Sequence, residues 1–479
     1  MPDQPLNLIL ITTDQQRGDA LGLETPALQT PNLDALARGG TWFRRGYTEC
    51  PSCFPARRSL MSGMAAAAQG MVGMSPSAWD PPHTLAGELV KAGYQTQLVG
   101  KLHLQPHGKR FGFEHMVHSD APHNDDDAYV RWLRDRHGRT EANPGASHGV
   151  DANGWVGRPS HLPEDQTHTW WCVNESIDFL RYRRDPTQPF FLNLSIFDPH
   201  PPLCPPQAYY DRYIQRDLPA PVVGDWADPT EAQPRRGDPT NAWRIQLDEH
   251  QMRCARAAYY GTVNFVDDQL GRLFNYLQRN RLWNNTAILF TSDHGEMLGD
   301  HHLYRKCWPY EASARVPYIL RVPGMAPRVV DSPVGLQDVL PTFVELAGGQ
   351  VPTACTGHSL LPVARGESER VREVFHGEHA GQYDYADGVH YLVSDTHKYV
   401  WYSQRQTEHL FDLSADPQEL HDLALSGDAE ALLAPWRERL VQVLADRPEG
   451  FVADGQLVVG RPHRFLIPDL EPDRFYPYL

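Results

Sequence analysis

The chain has 479 residues, 41% of them hydrophobic and 22% charged, which is the make-up of a folded globular protein with room for one large core and a smaller second unit. Its 44 Lys plus Arg stand against 60 Asp plus Glu, a formal charge of −16. That sign argues against nucleic acid as a partner, because phosphate binding draws on clustered Lys and Arg. Residues 6–12 are a near-continuous apolar run, which predicts a strand covered on both faces. Thr30-Pro31 then offers an N-cap and a first-turn proline for a helix through Leu36. Leu85, Leu89 and Val90 mark a helical stripe ending at Gly93, followed by a strand over 95–99. A further buried strand is expected over 190–197. Val263, Val266, Leu270, Leu273, Phe274 and Leu277 recur at helical spacing, and 287–291 is the strand after them. The alternation predicts an α/β fold with a large, mostly parallel (mixed) sheet flanked by helices, with chemistry where the strands' carboxyl ends run into loops.

From about residue 370 the texture changes. Short strands are expected at 374–376, 390–394, 398–402 and 409–412, and a helix over Ala429–Leu444. The division this predicts is a catalytic domain over 1–368, a smaller C-terminal antiparallel α+β subdomain over 369–447 and an irregular tail over 448–479. The Pro-, Phe- and Tyr-rich tail is expected to wrap the domain or a second subunit, as in a homo-oligomer. The 138–168 loop is long enough to act as a lid or specificity element, and Trp155, His161 and Trp170-Trp171 could line a sugar or aryl site or simply fill core. No apolar run nears the ~20 residues of a membrane span. The start MPDQPLNLILITTDQQ lacks a basic segment and a small-residue cleavage site. The expectation is a cytoplasmic protein with no membrane anchor, and seven cysteines, an odd number, fit reduced thiols there.

Five places carry residues able to do chemistry. Asp14-Gln15 closes the first strand, where a carboxylate and an amide oxygen suit a hard cation. Cys50 and Cys53 form a CxxC, but no second pair completes a zinc site, and the glycine- and arginine-rich stretch before it is unlike a redox strand. Cys53 instead leads into Pro55 and Arg57 at a helix start, a setting that stabilises anions. Gly100-Lys101-Leu102-His103 follows the 95–99 strand and pairs an ammonium with an imidazole. Asp198-Pro199-His200-Pro201-Pro202 ends the next strand, its prolines aiming His200. Thr291-Ser292-Asp293-His294-Gly295-Glu296 follows another, with Lys306 thirteen residues beyond Asp293. His301, His302 and Cys307 read as loop residues.

Together these segments resemble the sulfatase family of the alkaline phosphatase superfamily. Cys53-Phe54-Pro55-Ala56-Arg57 fits its C-x-P-[S/A/C]-R motif, with Ala56 where serine is commoner. Gly100-Lys101-Leu102-His103 is similar to its G-K-x-H, and 291–296 to its T-S-D-[N/H]-G-E. Landmarks at 30–34, 337–342 and 409–413 extend the likeness over nearly the whole chain. The resemblance implies hydrolysis of a small-molecule sulfate monoester. Cys53 would be oxidised to formylglycine by a maturation enzyme and hydrated to a gem-diol. Asp14, Gln15, Asp293 and His294, with the modified Cys53, would hold one divalent metal: calcium first, with manganese and magnesium also compatible, since His294 and Gln15 stand where Asn and Asp are usual. Arg57 and Lys101 would stabilise the diol and the sulfuryl oxygens, His200 and Lys306 the leaving oxygen, and His103 would take the proton that expels sulfate. The Asp-Gln and Asp-His-Gly pairs also resemble a phosphonate monoester or phosphodiester hydrolase branch, although Lys101 and His103 match the sulfatase side. A binding protein that keeps the fold without the chemistry is the third reading.

Overall fold

The computed structural model describes residues 5–120, 127–140, 149–229 and 239–467. Eight strands make the central sheet: β1 (Asn7–Asp14), β2 (Thr41–Phe43), β3 (Gln95–Gly100), β4 (His115–His118), β5 (Phe190–Pro199), β6 (Thr286–Ser292), β7 (Tyr318–Arg321) and β8 (Arg328–Val330). Their spatial order is β8-β2-β7-β6-β1-β5-β3-β4, and only β7 runs antiparallel to its neighbours. The large, mostly parallel sheet expected from the sequence is present. Every residue of β1 is buried, and its side chains alternate between two cores. Leu8 and Leu10 join Ala56, Leu60, Leu89, Val339 and Phe343 on one face, from helices α1 (Cys53–Ser62), α2 (Leu85–Lys91) and α3 (Val339–Leu346). On the other face Ile9 and Ile11 meet Trp171, Val266, Leu270 and Leu273 from the helices His168–Asp178 and Glu249–Arg279.

The Glu249–Arg279 helix is twice the length its 263–277 stripe implied. Asp248 and Gln251 close it in a capping box, and Ala257, Ala258, Tyr259 and Tyr260 bury its first half against Leu203 and Tyr213. Three other details differ. The Thr30 hydroxyl does not cap the following helix; it accepts from Gly22 N and donates to Asp34. Val90 is exposed rather than part of the buried stripe. Trp171 is core, packed under Tyr129, and is not a ligand-lining residue.

C-terminal to these, strands Phe375–His379, Val389–Val393, His397–Tyr402 and Thr407–Asp412 form an antiparallel meander backed by Ala429–Leu444, as the shorter apolar runs suggested. Beyond it a small hairpin pairs Val452–Ala453 with Gln456–Leu457, and the chain then returns to the N-terminal part, where Phe465 and Ile467 bond the backbone of Val72 and Gly70. Over 448–467 the tail therefore packs on its own chain; 468–479 lies outside the described residues, as does 141–148 of the 138–168 loop. The described part of that loop runs beside the segment following His200, with Arg158 N on Leu203 O and Ser160 N on Pro205 O. No helix among the described residues is long and apolar enough to cross a membrane.

One buried acid on this scaffold gives a stability test. Glu49 accepts from Gln337 N at 3.0 Å through one oxygen, and its other oxygen has no hydrogen-bond partner. Burial pushes its carboxyl up to about 8. The folded state thus holds a proton that the unfolded chain sheds near pH 4.5, so stability falls as pH rises between those values. Glu49→Gln is expected to flatten that fall and to exceed the wild type in thermal midpoint near pH 8, with the gain shrinking to nothing at pH 4.5; parallel profiles would show that the carboxyl is ionised when folded.

Candidate active site

The sheet order sets the carboxyl ends of β1, β3, β5 and β6 side by side. Thr13 registers with Ser292, Asp14 with Pro199 and Gly100 with Ser195. Asp14, Lys101, His200 and Asp293 therefore leave the sheet at one edge, although up to 279 positions of sequence separate them. The chain must turn sharply at these ends. Gly100 takes φ 96°, and a Cβ there would lie 2.0 Å from Ser195 O, so only glycine fits before Lys101. Cys53 is the first residue of α1, with Arg57 one turn later on the same face.

Within this edge the two carboxylates divide their oxygens. Asp14 Oδ2 accepts from Arg57 Nη2 at 3.1 Å and forms an ion pair with Lys101 Nζ at 2.6 Å, while Asp293 Oδ2 accepts from Arg57 Nε at 2.9 Å. Their Oδ1 atoms face His294 Nε2, at 3.7 and 3.6 Å. Cys53 Sγ lies 3.2 Å from the same nitrogen and 3.9 Å from Asp14 Oδ1. Lys306 Nζ then ties the sulfur (3.0 Å) to Gln15 Oε1 (3.2 Å) and His200 Nε2 (3.0 Å). These nine side chains, Asp14, Gln15, Cys53, Arg57, Lys101, His200, Asp293, His294 and Lys306, form one buried network. His103 joins it at one remove: its ring packs on Phe54, centroids 4.2 Å apart, beside Cys53.

The charges account for the titration of the site. Burial would raise Asp14, but the Lys101 ammonium, with His200, Arg57 and Lys306, holds it well below the usual carboxylate range. Burial and Asp14 push the Cys53 thiol up; Lys306, Lys101 and His294 outweigh them, and the thiol sits below its ordinary value. His294 moves up despite burial, drawn by Asp293 and the Cys53 sulfur.

Asp14, Cys53, Asp293 and His294 each point one ligand atom into a space where all lie within 4.8 Å of one another, and all four are buried. His294 Nδ1 sits 3.0 Å from Gly295 O, which as a donor there leaves Nε2 as the acceptor a metal needs. Two carboxylate oxygens and one imidazole nitrogen, all from buried side chains, fit a divalent cation.

Two supports had no role in the sequence reading. Glu296 accepts from the Gln15 amide nitrogen and from Leu298 N and Arg305 N, which turns the amide oxygen of Gln15 toward Lys306. Ser195 Oγ accepts from Arg57 Nη1 at 3.0 Å. Glu296 closes the 291–296 motif, so its place there was the available signal; Ser195 lies in an apolar strand run that offered none. His301 and Cys307, read as loop residues, are buried: His301 Nδ1 accepts from Gly224 N, and Cys307 N donates to Pro51 O. All seven cysteines are free, so the CxxC forms no disulfide.

A parallel-sheet α/β hydrolase of the alkaline phosphatase superfamily is the class that this fold and edge site define. The sequence profile of the family described as Sulfatase matches residues 6–349, and that of "N-sulphoglucosamine sulphohydrolase, C-terminal" matches 299–446. The chain belongs to the sulfatase family. It is 38% identical to an arylsulfatase of Clostridium perfringens, over 95% of this chain and 98% of that one. It is 32% identical to the multifunctional alkaline phosphatase superfamily protein PehA of Trinickia caryophylli, over 90% and 94%. Among solved structures it superimposes on the phosphonate monoester hydrolase of Agrobacterium radiobacter with a TM-score of 0.78 at 26% identity, over 96% of this chain and all of that one.

Proposed function

We propose that the protein hydrolyses a small-molecule sulfate monoester, R-O-SO3, to an alcohol and sulfate, through a formylglycine made from Cys53. The observation that carries this reading is the setting of the Cys53 sulfur: at a helix start, 3.0 Å from Lys306 Nζ and 3.2 Å from His294 Nε2, beside two carboxylates. Formylglycine would supply a hydrated aldehyde as nucleophile, and a divalent metal held by Asp14, Gln15, Asp293, His294 and residue 53 would supply Lewis acidity. Calcium suits the oxygen-rich set, and manganese or magnesium also fits it. The side chains do the rest. Lys101 and Arg57 keep Asp14 ionised and place positive charge where the sulfuryl oxygens gather. Lys306 Nζ binds the ester oxygen and gives it a proton as it leaves, while His200 Nε2, 3.0 Å away, accepts from that ammonium and orients it. His200 Nδ1 sits 2.6 Å from Pro201 O, which as a donor there keeps Nε2 free to accept from Lys306. His103 takes the proton that frees sulfate. Cys53 is 1% exposed, so the maturation enzyme this reading requires would have to reach it before α1 packs. The expected division into 1–368, 369–447 and 448–479 belongs to the same reading, as does a cytoplasmic site of action.

The test couples peptide mass at Cys53 with turnover of p-nitrophenyl sulfate, phenyl phosphonate and a phosphodiester. Sulfate turnover with an aldehyde at residue 53 is expected; an active enzyme with an unmodified thiol would refute the mechanism. The likeness to a phosphonate monoester hydrolase favours the second reading, and preferred turnover of the phosphonate or diester would establish it. No turnover of any substrate by protein oxidised at Cys53 would leave only a binding protein. Lys306→Ala is expected to lower kcat on p-nitrophenyl sulfate by about 10²- to 10³-fold, as loss of one preorganised transition-state donor does, with a smaller change in KM. An unchanged kcat would remove Lys306 from the chemistry.

A further inference from the structure

Behind the Lys101–His103 loop lies a second convergence of metal-binding side chains, separate from the active-site cluster. His107 Nδ1 is 3.3 Å from Asp120 Oδ2, and His118 Nε2 is 3.0 Å from Asp120 Oδ1. The two imidazole rings are tilted 31° to one another, centroids 4.6 Å apart. The three ligand atoms all fall within 4.8 Å of one another. His118 comes from the sheet-edge strand β4, Asp120 from the turn after it and His107 from the loop between β3 and β4, so the sheet edge itself holds the set together.

Two features separate this trio from an ordinary hydrogen-bonded one. His118 Nε2 is buried and, despite its 3.0 Å approach, has no aligned hydrogen-bond partner. An imidazole nitrogen and a carboxylate oxygen this close and poorly aligned with one another can share one ion. Asp120 also has no lysine or arginine in its ion pairs among the described residues, only these two imidazoles, and Asp127 adds a further negative charge within electrostatic reach of His118. Exposure grades across the set: the side chains of Asp120 and His118 are 8% and 10% exposed, that of His107 41%, so a bound ion would have one face toward solvent.

The geometry points to a zinc-class transition-metal site formed by His107, His118 and Asp120. Two imidazoles and one carboxylate select Zn²⁺ or Co²⁺ over the hard cations that suit the oxygen-rich active-site cluster. The site has a structural consequence, because Asp120 Oδ1 also accepts from Leu102 N (3.1 Å) and His103 N (2.9 Å). His103 sits at φ 50°, a left-handed conformation disfavoured for a non-glycine residue, and its N–H is bonded to this carboxylate. An ion on Asp120 therefore fixes the backbone of the loop that presents His103.

The test uses the full chain, stripped with chelator and titrated with Co²⁺ in a His294→Asn background, which removes the imidazole that stands with Asp14, Cys53 and Asp293. One Co²⁺ with imidazole-type visible absorption, displaced by Zn²⁺, is expected. His107→Ala should weaken that binding by more than the roughly 10- to 100-fold that loss of an outer partner costs. Its side chain is half-exposed, so the chelator-treated variant should keep the parent's circular dichroism and thermal midpoint; Zn²⁺ should raise the midpoint of the parent and leave that of His107→Ala unmoved. Absence of the cobalt spectrum, or equal affinity in parent and His107→Ala, would overturn the site. None of these readouts depends on sulfatase turnover.

Discussion

Cys53→Ala is expected to reduce turnover of p-nitrophenyl sulfate by at least about 10⁴-fold, down to what charge stabilisation and binding alone provide. Sulfate ester hydrolysis needs its barrier lowered by on the order of 20 kcal/mol, and alanine leaves no atom at residue 53 to open a covalent route. The fold should survive the change. Lys306 keeps Gln15 Oε1 and His200 Nε2 as partners, and Asp14 and Asp293 keep Arg57. A thermal midpoint within a few degrees of wild type, measured on the protein used for kinetics, separates lost chemistry from lost structure. Wild-type turnover by the alanine variant would end the formylglycine reading, and partial activity near one-tenth would point to a nucleophile elsewhere.

Asp338→Ala is the largest stability effect the structure predicts, a loss of about 3–5 kcal/mol, the range typical of removing one partner from a buried ion pair. Asp338 is fully buried; it accepts from Gly335 N at 2.7 Å and His358 N at 2.9 Å, and its carboxylate pairs with both terminal nitrogens of Arg372. Alanine would leave a nearly buried guanidinium without its carboxylate, with only Pro333 O and His358 Nδ1 in reach, and two backbone N–H groups without an acceptor. The residue stands at the entry to α3, which shares a core with α1 through Val339, Phe343, Ala56 and Leu60. The damage should therefore spread to the helix that begins at Cys53. Urea midpoints check this, with Asp338→Asn expected to lose less because its amide oxygen still accepts. A shift below about 1 kcal/mol would mean that water replaces the carboxylate.

Much of this was legible in the residues. The strand readings located β1, β3, β5 and β6 to within two residues at each end, because each carries a core of adjacent apolar residues bounded by turn or loop signals, even where Gln97 or Asn193 interrupts it. The Ala429–Leu444 helix came out with its observed bounds. The first half of the Glu249–Arg279 helix was hidden because Arg256, Tyr259 and Tyr260 are polar yet buried, with Arg256 and Tyr259 bonded to Leu298 O and Gln15 O far along the chain. Asp120 was invisible for a similar reason. Its partners at 102, 103, 107 and 118 follow no helix or strand period and meet only once β3 and β4 pair.

The sequence by itself determined the kinds of group available and their place at strand ends: a thiol one turn before a guanidinium, an acid closing one strand, an acid and an imidazole closing another. Only the tertiary structure decided their pairing. The order β6-β1-β5-β3 makes neighbours of four chain ends that local propensity leaves independent. Within that edge, Arg57 takes one oxygen from each carboxylate and turns the other toward His294 and Cys53. Which oxygen faces which partner is a matter of a few ångströms between elements far apart in sequence. Sheet register and helix packing settle distances of that kind, and no local pattern of residues encodes them.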